Sequence, residues 1–90
     1  MSEARWQVII HRKAEKILKR LDGDTLERIR RAIRGLANEP RPVGVKKLSR
    51  YDNLYRVRVG DWRVIYAIED DKLIVLVLEI SPRGEAYREL

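Results

Sequence analysis

Three arginines, Arg56, Arg58 and Arg63, crowd a short stretch that also holds Tyr55 and Tyr66, with Lys46 and Lys47 just upstream. A guanidinium is permanently charged and forks onto phosphate oxygens in pairs. A cluster of this kind suits phosphate binding and the stabilisation of a crowded, phosphorane-like transition state. One well-placed donor of that sort contributes ~2.7–4 kcal/mol to lowering a barrier. Other chemistries lack their residues. The chain has no cysteine, which removes disulfides, thiolate metal sites and a cysteine nucleophile. It has no Gly-rich phosphate loop, no zinc-ligand spacing and no Ser-His-Asp arrangement. An RNA strand, however, carries its own nucleophile in the 2′-OH. A ribonuclease therefore needs charge stabilisation, strand positioning and proton transfer, but no nucleophilic side chain.

The stretch Leu54–Tyr66, LYRVRVGDWRVIY, positions these residues. Two alternating runs meet at Gly60-Asp61, a two-residue glycine-containing connection that signals a β-hairpin. With those two residues as the turn, Val59 faces Trp62, Arg58 faces Arg63, Val57 faces Val64, Arg56 faces Ile65 and Tyr55 faces Tyr66. Opposed residues share a sheet face and the face alternates along a strand. One face thus carries Tyr55, Val57, Val59, Trp62, Val64 and Tyr66; the other carries Arg56, Arg58, Arg63 and Ile65. Like charges directly opposed destabilise a sheet, and no acid relieves these three. Two readings stay open: a solvated outer face, or a face that binds anions.

The remaining elements must carry this hairpin. Arg5–Ile10 reads as a first strand. From His11 the period becomes helical, with Ala14, Ile17, Leu18 and Leu21 on one face among Arg12, Lys13, Lys16, Lys19 and Arg20. His11, at the strand-to-helix junction, reads as a structural or solvated residue. Asp22-Gly23 ends this helix, and Asp24 with Glu27 predicts an N-cap and capping-box-like pair for a second helix. Leu26, Ile29, Ile33 and Leu36 form its apolar stripe, until Asn38, Pro40 and Pro42 stop it. Val43–Leu48 predicts a short strand bearing Lys46 and Lys47, and Ser49–Asn53 a polar loop with Arg50. After the hairpin, Glu69–Lys72 is a turn. Leu73–Ile80, LIVLVLEI, is apolar on both faces and predicts a central strand. Its phase depends on the length of that turn, so the face taken by Glu79 stays open. Ser81–Gly84 ends the strand, and Glu85–Leu90 is a polar tail with Tyr87. The expected fold is α+β, in the order β-α-α-β-β-β-β, with an antiparallel helix pair covering one side of a mostly antiparallel sheet.

Ninety residues, 44% of them hydrophobic, predict one domain over residues 1–90 with a core that needs no staples. No apolar run approaches the ~18 residues of a membrane span, and Met1–Ile10 lacks the pattern of a signal peptide, so the cytoplasm is expected. Lys and Arg number 20 against 14 Asp and Glu, a net charge of +6. That balance favours polyanionic partners such as RNA, DNA or an acidic protein. The basic residues concentrate in 11–21 and 41–63, while 69–90 is mildly acidic.

The run KKLSRYDNLYRVRVGDWRVIYAIEDDKLIVLVLEI, followed by Arg83 and Tyr87, resembles the RelE group of the RelE/ParE toxin superfamily. The most specific pieces are the Lys-Leu before the loop, the YRVRVGDWRVIY hairpin and an arginine four residues before a tyrosine near the C-terminal end. The resemblance extends through the paired helices. It implies a small cytoplasmic toxin, inhibited by a cognate RelB-like antitoxin in an assembly such as a heterotetramer. Such a toxin cleaves mRNA in the ribosomal A site by 2′-OH attack, without metal or other cofactor. It also implies that Arg63 contacts the scissile phosphate, that Tyr87 lies against the substrate nucleotide and that Arg83 is a basic residue of the same tail. Arg56 and Arg58 stand where well-studied members carry lysines. A lysine can give up its proton and serve as a base; an arginine effectively cannot. The base then falls to Lys46, Lys47 or Tyr87, or the enzyme relies on electrostatics. Lys46, Lys47, Arg50, Arg12, Lys13 and Lys16 are the expected RNA contacts beyond the scissile site. Two alternatives are a ParE-like inhibitor of DNA gyrase and an inactive relative that only binds antitoxin or RNA.

Overall fold

The computed structural model describes residues 5–48 and 50–82. The elements come in the expected order: β1 (Gln7–Ile10), α1 (Arg12–Arg20), α2 (Gly23–Gly35), β2 (Lys46–Lys47), β3 (Leu54–Val59), β4 (Trp62–Glu69) and β5 (Ile74–Pro82). The strands form one sheet in the order β1-β5-β4-β3-β2. Three ladders are antiparallel, and β1 runs parallel to β5.

Helix α1 is short and capped. The His11 Nδ1 accepts a hydrogen bond from the Lys13 amide at 3.1 Å, so the single histidine caps a helix. Ala14 and Leu18, one turn apart, are its buried residues, and Ile29 and Ile33 are those of α2. Together with Leu36 they pack on Val64, Tyr66, Ile68, Val75, Val77 and Ile80 from β4 and β5. Both helices thus cover the same face of the sheet, and the other face stays largely open.

Several boundaries differ from expectation. The second helix begins at Gly23, with Asp22 rather than Asp24 in the cap position and no side-chain capping bond. The Leu26 amide reaches the Asp22 carbonyl at 3.4 Å, which closes the first turn two residues early. The same helix stops at Gly35, where Leu36 and Ala37 donate three residues back and tighten the final turn before either proline is reached. Strand β1 starts at Gln7 because the Trp6 amide turns to the Ala37 carbonyl at 3.0 Å. Strand β2 is only two residues long; Val43 is fully exposed and Gly44 has φ +90. Leu73, at φ +55, belongs to the turn, so β5 starts at Ile74.

The central strand is β4, not β5. Every residue from Val64 to Ile68 is buried, because a second small cluster covers the far side: Leu48 and Ile65, with Tyr51 and Leu54 against them. β5 lies between β4 and β1, and its buried positions are Val75, Val77 and Ile80.

The loop 37–45 is pinned chiefly at Pro40 and Arg41. The buried Tyr66 hydroxyl donates to the Pro40 carbonyl at 2.7 Å, and its ring stacks on Tyr55 with centroids 6.1 Å apart. Arg41 lies over the Tyr55 ring at 5.2 Å and forks onto Asp70, with nitrogen–oxygen distances of 2.9 and 3.3 Å. Burial pushes the Tyr66 phenol well above its ordinary range.

Candidate nucleic-acid interface

The hairpin pairs residue for residue as its turn requires: Val59 with Trp62, Arg58 with Arg63, Val57 with Val64, Arg56 with Ile65 and Tyr55 with Tyr66. Gly60, at φ 62, takes the first turn position, where a side chain would be strained. Val64 and Tyr66 face the helices, so Arg56, Arg58 and Arg63 stand on the open face. Lys46 pairs with Arg56 and extends that face to the edge of the sheet.

On the other side of β4 the ladder supplies two more members. Arg63 pairs with Ser81, and Ile65 pairs with Glu79. Two transverse rows result: Arg58, Arg63 and Ser81 in one, and Lys46, Arg56, Ile65 and Glu79 in the next. Neighbouring strands are ~4.8 Å apart and rows on one face are ~7 Å apart, which is the spacing at which a strand of phosphates can meet several guanidiniums. The Ser81 hydroxyl is buried and has no hydrogen-bond partner among the described residues.

Not every expected contact joins this face. Lys47 pairs with Tyr55 and therefore points to the opposite side of the sheet from the arginines. Arg50 is exposed beyond β2. Arg12, Lys13 and Lys16 are exposed on α1, in the helical layer. Lys13 and Lys16 nevertheless line a groove of about 690 Å³ at the end of the sheet, with Arg20, Trp62, Glu79 and Ser81. Glu79 and Ser81 of β5 therefore belong both to the wall of this groove and to the rows that carry Arg56 and Arg63. Arg83 and Tyr87 lie outside the described residues.

Arg20, Trp62, Glu79 and Ser81 did not stand out in the sequence. Arg20 looked like one more helix-surface cation and Trp62 like core. Glu79 and Ser81 sit in or after a run whose phase only the ladder reveals. Among the described residues no cluster of three His, Cys, Asp or Glu side chains is placed to hold a metal ion, and no helix is long and apolar enough to cross a membrane.

Comparison with known proteins agrees with this architecture. Residues 8–87 match the family described as the ParE toxin of the type II toxin–antitoxin system, parDE. A Methanocaldococcus jannaschii protein, named provisionally as toxin RelE1, is 34% identical over 87 residues, covering 93% of this chain and 97% of the relative. The toxin in an archaeal RelE–RelB complex from Pyrococcus horikoshii superposes with a TM-score of 0.80 at 32% identity, over 90% of this chain and 98% of that one. The RelBE2 toxin–antitoxin complex of Mycobacterium tuberculosis gives a TM-score of 0.75 at 25% identity, over 88% and 99%. The chain belongs to the ParE toxin family of type II toxin–antitoxin systems and, within the RelE/ParE superfamily, to its RelE group.

Proposed function

We propose that this toxin is a ribosome-dependent endoribonuclease that cuts mRNA in the A site by attack of the 2′-OH, and so halts translation in the cytoplasm. The observation that carries the reading is the direct opposition of Arg58 and Arg63, with Arg56 and Lys46 on the same open face. Opposed like charges destabilise a sheet, and a phosphate bound between them would offset that repulsion. The α1 cations and the groove beside Trp62 supply a second basic surface, suited to ribosomal RNA. Arg83 and Tyr87 belong to this reading as residues of the substrate site, and no metal is needed for 2′-OH attack. Inhibition comes from a RelB-like antitoxin, in keeping with the RelE–RelB pairs among the structural relatives, through an acidic segment that covers the arginine face.

The test is to map mRNA 5′ ends on ribosomes after induction of the toxin and of its Arg63→Ala variant at matched expression. Cuts clustered in A-site codons with wild type, and absent with the variant, are expected. A second reading, carried by the resemblance to ParE-like members, is inhibition of DNA gyrase by binding. Intact mRNA together with blocked supercoiling would decide for it.

A further inference from the structure

Among the described residues, the arginine face offers the nuclease reading no ready proton acceptor; Tyr87 lies outside them. A 2′-hydroxyl must lose its proton as it attacks, and Arg56, Arg58 and Arg63 cannot take it. Lys47 is on the wrong face, and Lys46 stands at the outer edge, with Arg56 between it and β4.

The β4–β5 ladder brings up a different group. From Glu69 and Ile74 to Tyr66 and Val77 the two strands run in one register. Continued unbroken, that register would set Val64 against Glu79 and bury a carboxylate in the core. A bulge between Ile65 and Tyr66 moves the register by one residue. Ile65 now meets Glu79, Val64 meets Ile80 and Arg63 meets Ser81. Ile80 takes the core position, 2% exposed, and Glu79 is delivered to the arginine face. It stands on the strand beside Arg63 and one row away, a diagonal of ~7–8 Å that a glutamate and an arginine can bridge around one phosphodiester. Bulges next to active sites re-aim side chains in this way. Among the described residues the Glu79 side chain makes no ion pair or hydrogen bond, and the residue is partly exposed.

We propose that Glu79 is the general base that accepts the proton of the attacking 2′-hydroxyl, a role that rests on the nuclease reading above. The O2′–phosphorus bond forms as the phosphorus–O5′ bond breaks. The 2′ proton passes to the Glu79 carboxylate, and the departing O5′ takes a proton from water. The products are a 2′,3′-cyclic phosphate and a 5′-hydroxyl, and Glu79 returns its proton to solvent. The charged groups around the carboxylate are Arg63 on β4, Arg58, Arg56 and Lys46 farther along the two rows, and Lys13, Lys16 and Arg20 across the groove that Glu79 also lines.

Single-turnover cleavage on programmed ribosomes, followed across pH, tests this with wild type, Glu79→Gln and Glu79→Asp. Binding is measured separately on mRNA carrying a 2′-deoxy residue at the cut site, which cannot react. Glu79→Gln is expected to cut at least ~100-fold more slowly and to lose the fall in rate on acidification. It should bind the deoxy mRNA–ribosome complex at least as tightly as wild type and melt at the same temperature, while Glu79→Asp keeps part of the rate. A Glu79→Gln variant with the wild-type rate and pH profile overturns the base. So does a loss of rate matched by weaker binding or a lower melting temperature, which would make Glu79 a structural carboxylate of the bulge. Wild type that cuts no mRNA overturns this role and the nuclease reading together; wild type that cuts beside an unimpaired variant overturns the role alone.

Discussion

Arg58 and Arg63 sit directly opposite each other on β3 and β4, and Arg63 in turn sits opposite Ser81 on β5. Opposed like charges cost a sheet ~0.2–1 kcal/mol. Function and stability should therefore pull apart at this pair. Arg58→Thr, an exposed position given a good strand former, is expected to stabilise the fold by up to ~1 kcal/mol at low salt, with the gain shrinking as salt screens the repulsion. Arg63→Ala is expected to lower cleavage by ~10²–10³-fold. Denaturation at two salt concentrations and single-turnover cleavage make the comparison.

The buried Tyr66 hydroxyl holds the Pro40 carbonyl. Tyr66→Phe leaves that acceptor unpaired and is expected to destabilise the fold by ~1–3 kcal/mol. Burial raises the folded pKa of this tyrosine above its unfolded value near 10, so the folded state favours the neutral phenol. The associated stability is complete below pH ~10 and is lost as pH climbs beyond it. Urea denaturation between pH 8 and 11.5 should show wild type weakening steeply at the alkaline end and Tyr66→Phe weakening less.

Gly60 carries the hairpin turn at φ 62, and a Cβ there would meet the Arg28 guanidinium at 3.3 Å. The guanidinium is the end of a flexible chain and can move; the backbone cannot. Gly60→Ala is expected to cost ~1–2 kcal/mol, of the order set by left-handed strain, and Gly60→Asn distinctly less. Melting curves of the two variants rank them.

The α1 cations belong to a surface separate from the arginine face. Lys13→Ala with Lys16→Ala is expected to weaken ribosome binding and to flatten its dependence on salt, since each lost phosphate contact removes ~0.7–0.9 from the logarithmic slope. Cleavage within the bound complex should change far less than binding does. Binding titrations at several salt concentrations, paired with single-turnover rates, separate the two effects.

The hairpin was legible pair by pair because a two-residue glycine turn sets the register and the alternation of arginine and valine sets the face. The helices were legible from their stripes, though the Leu26–Asp22 bond starts α2 two residues before the expected Asp24 cap. Strand β5 was legible as a strand but not in its phase: in LIVLVLEI both alternations are apolar, so the run cannot disclose a bulge. The burial of β4 on both sides depends on Leu48 and Ile65, a contact between distant segments. The links from Arg41 to Asp70 and from Tyr66 to Pro40 are equally non-local. At the site, the arginine ladder could be read in advance, whereas the positions of Glu79 and Ser81 and the sidedness of Lys47 needed the sheet.

The parallel pairing of β1 with β5 ties Gln7 to Ile74, 67 residues along the chain. The sheet cannot close until its last strand exists, and contacts this remote in sequence form late and slowly. A chain still under synthesis thus holds its arginine hairpin on an unfinished scaffold, with β1 unpaired and the helical layer lacking Val75, Val77 and Ile80 beneath it. Completion of the polypeptide doubles as an arming step: whatever the toxin acts on is exposed to a finished arginine face only after the last strand is made, and an antitoxin has that interval in which to act first. Chains ended before Ile74 should accordingly be rapidly proteolysed and harmless when expressed.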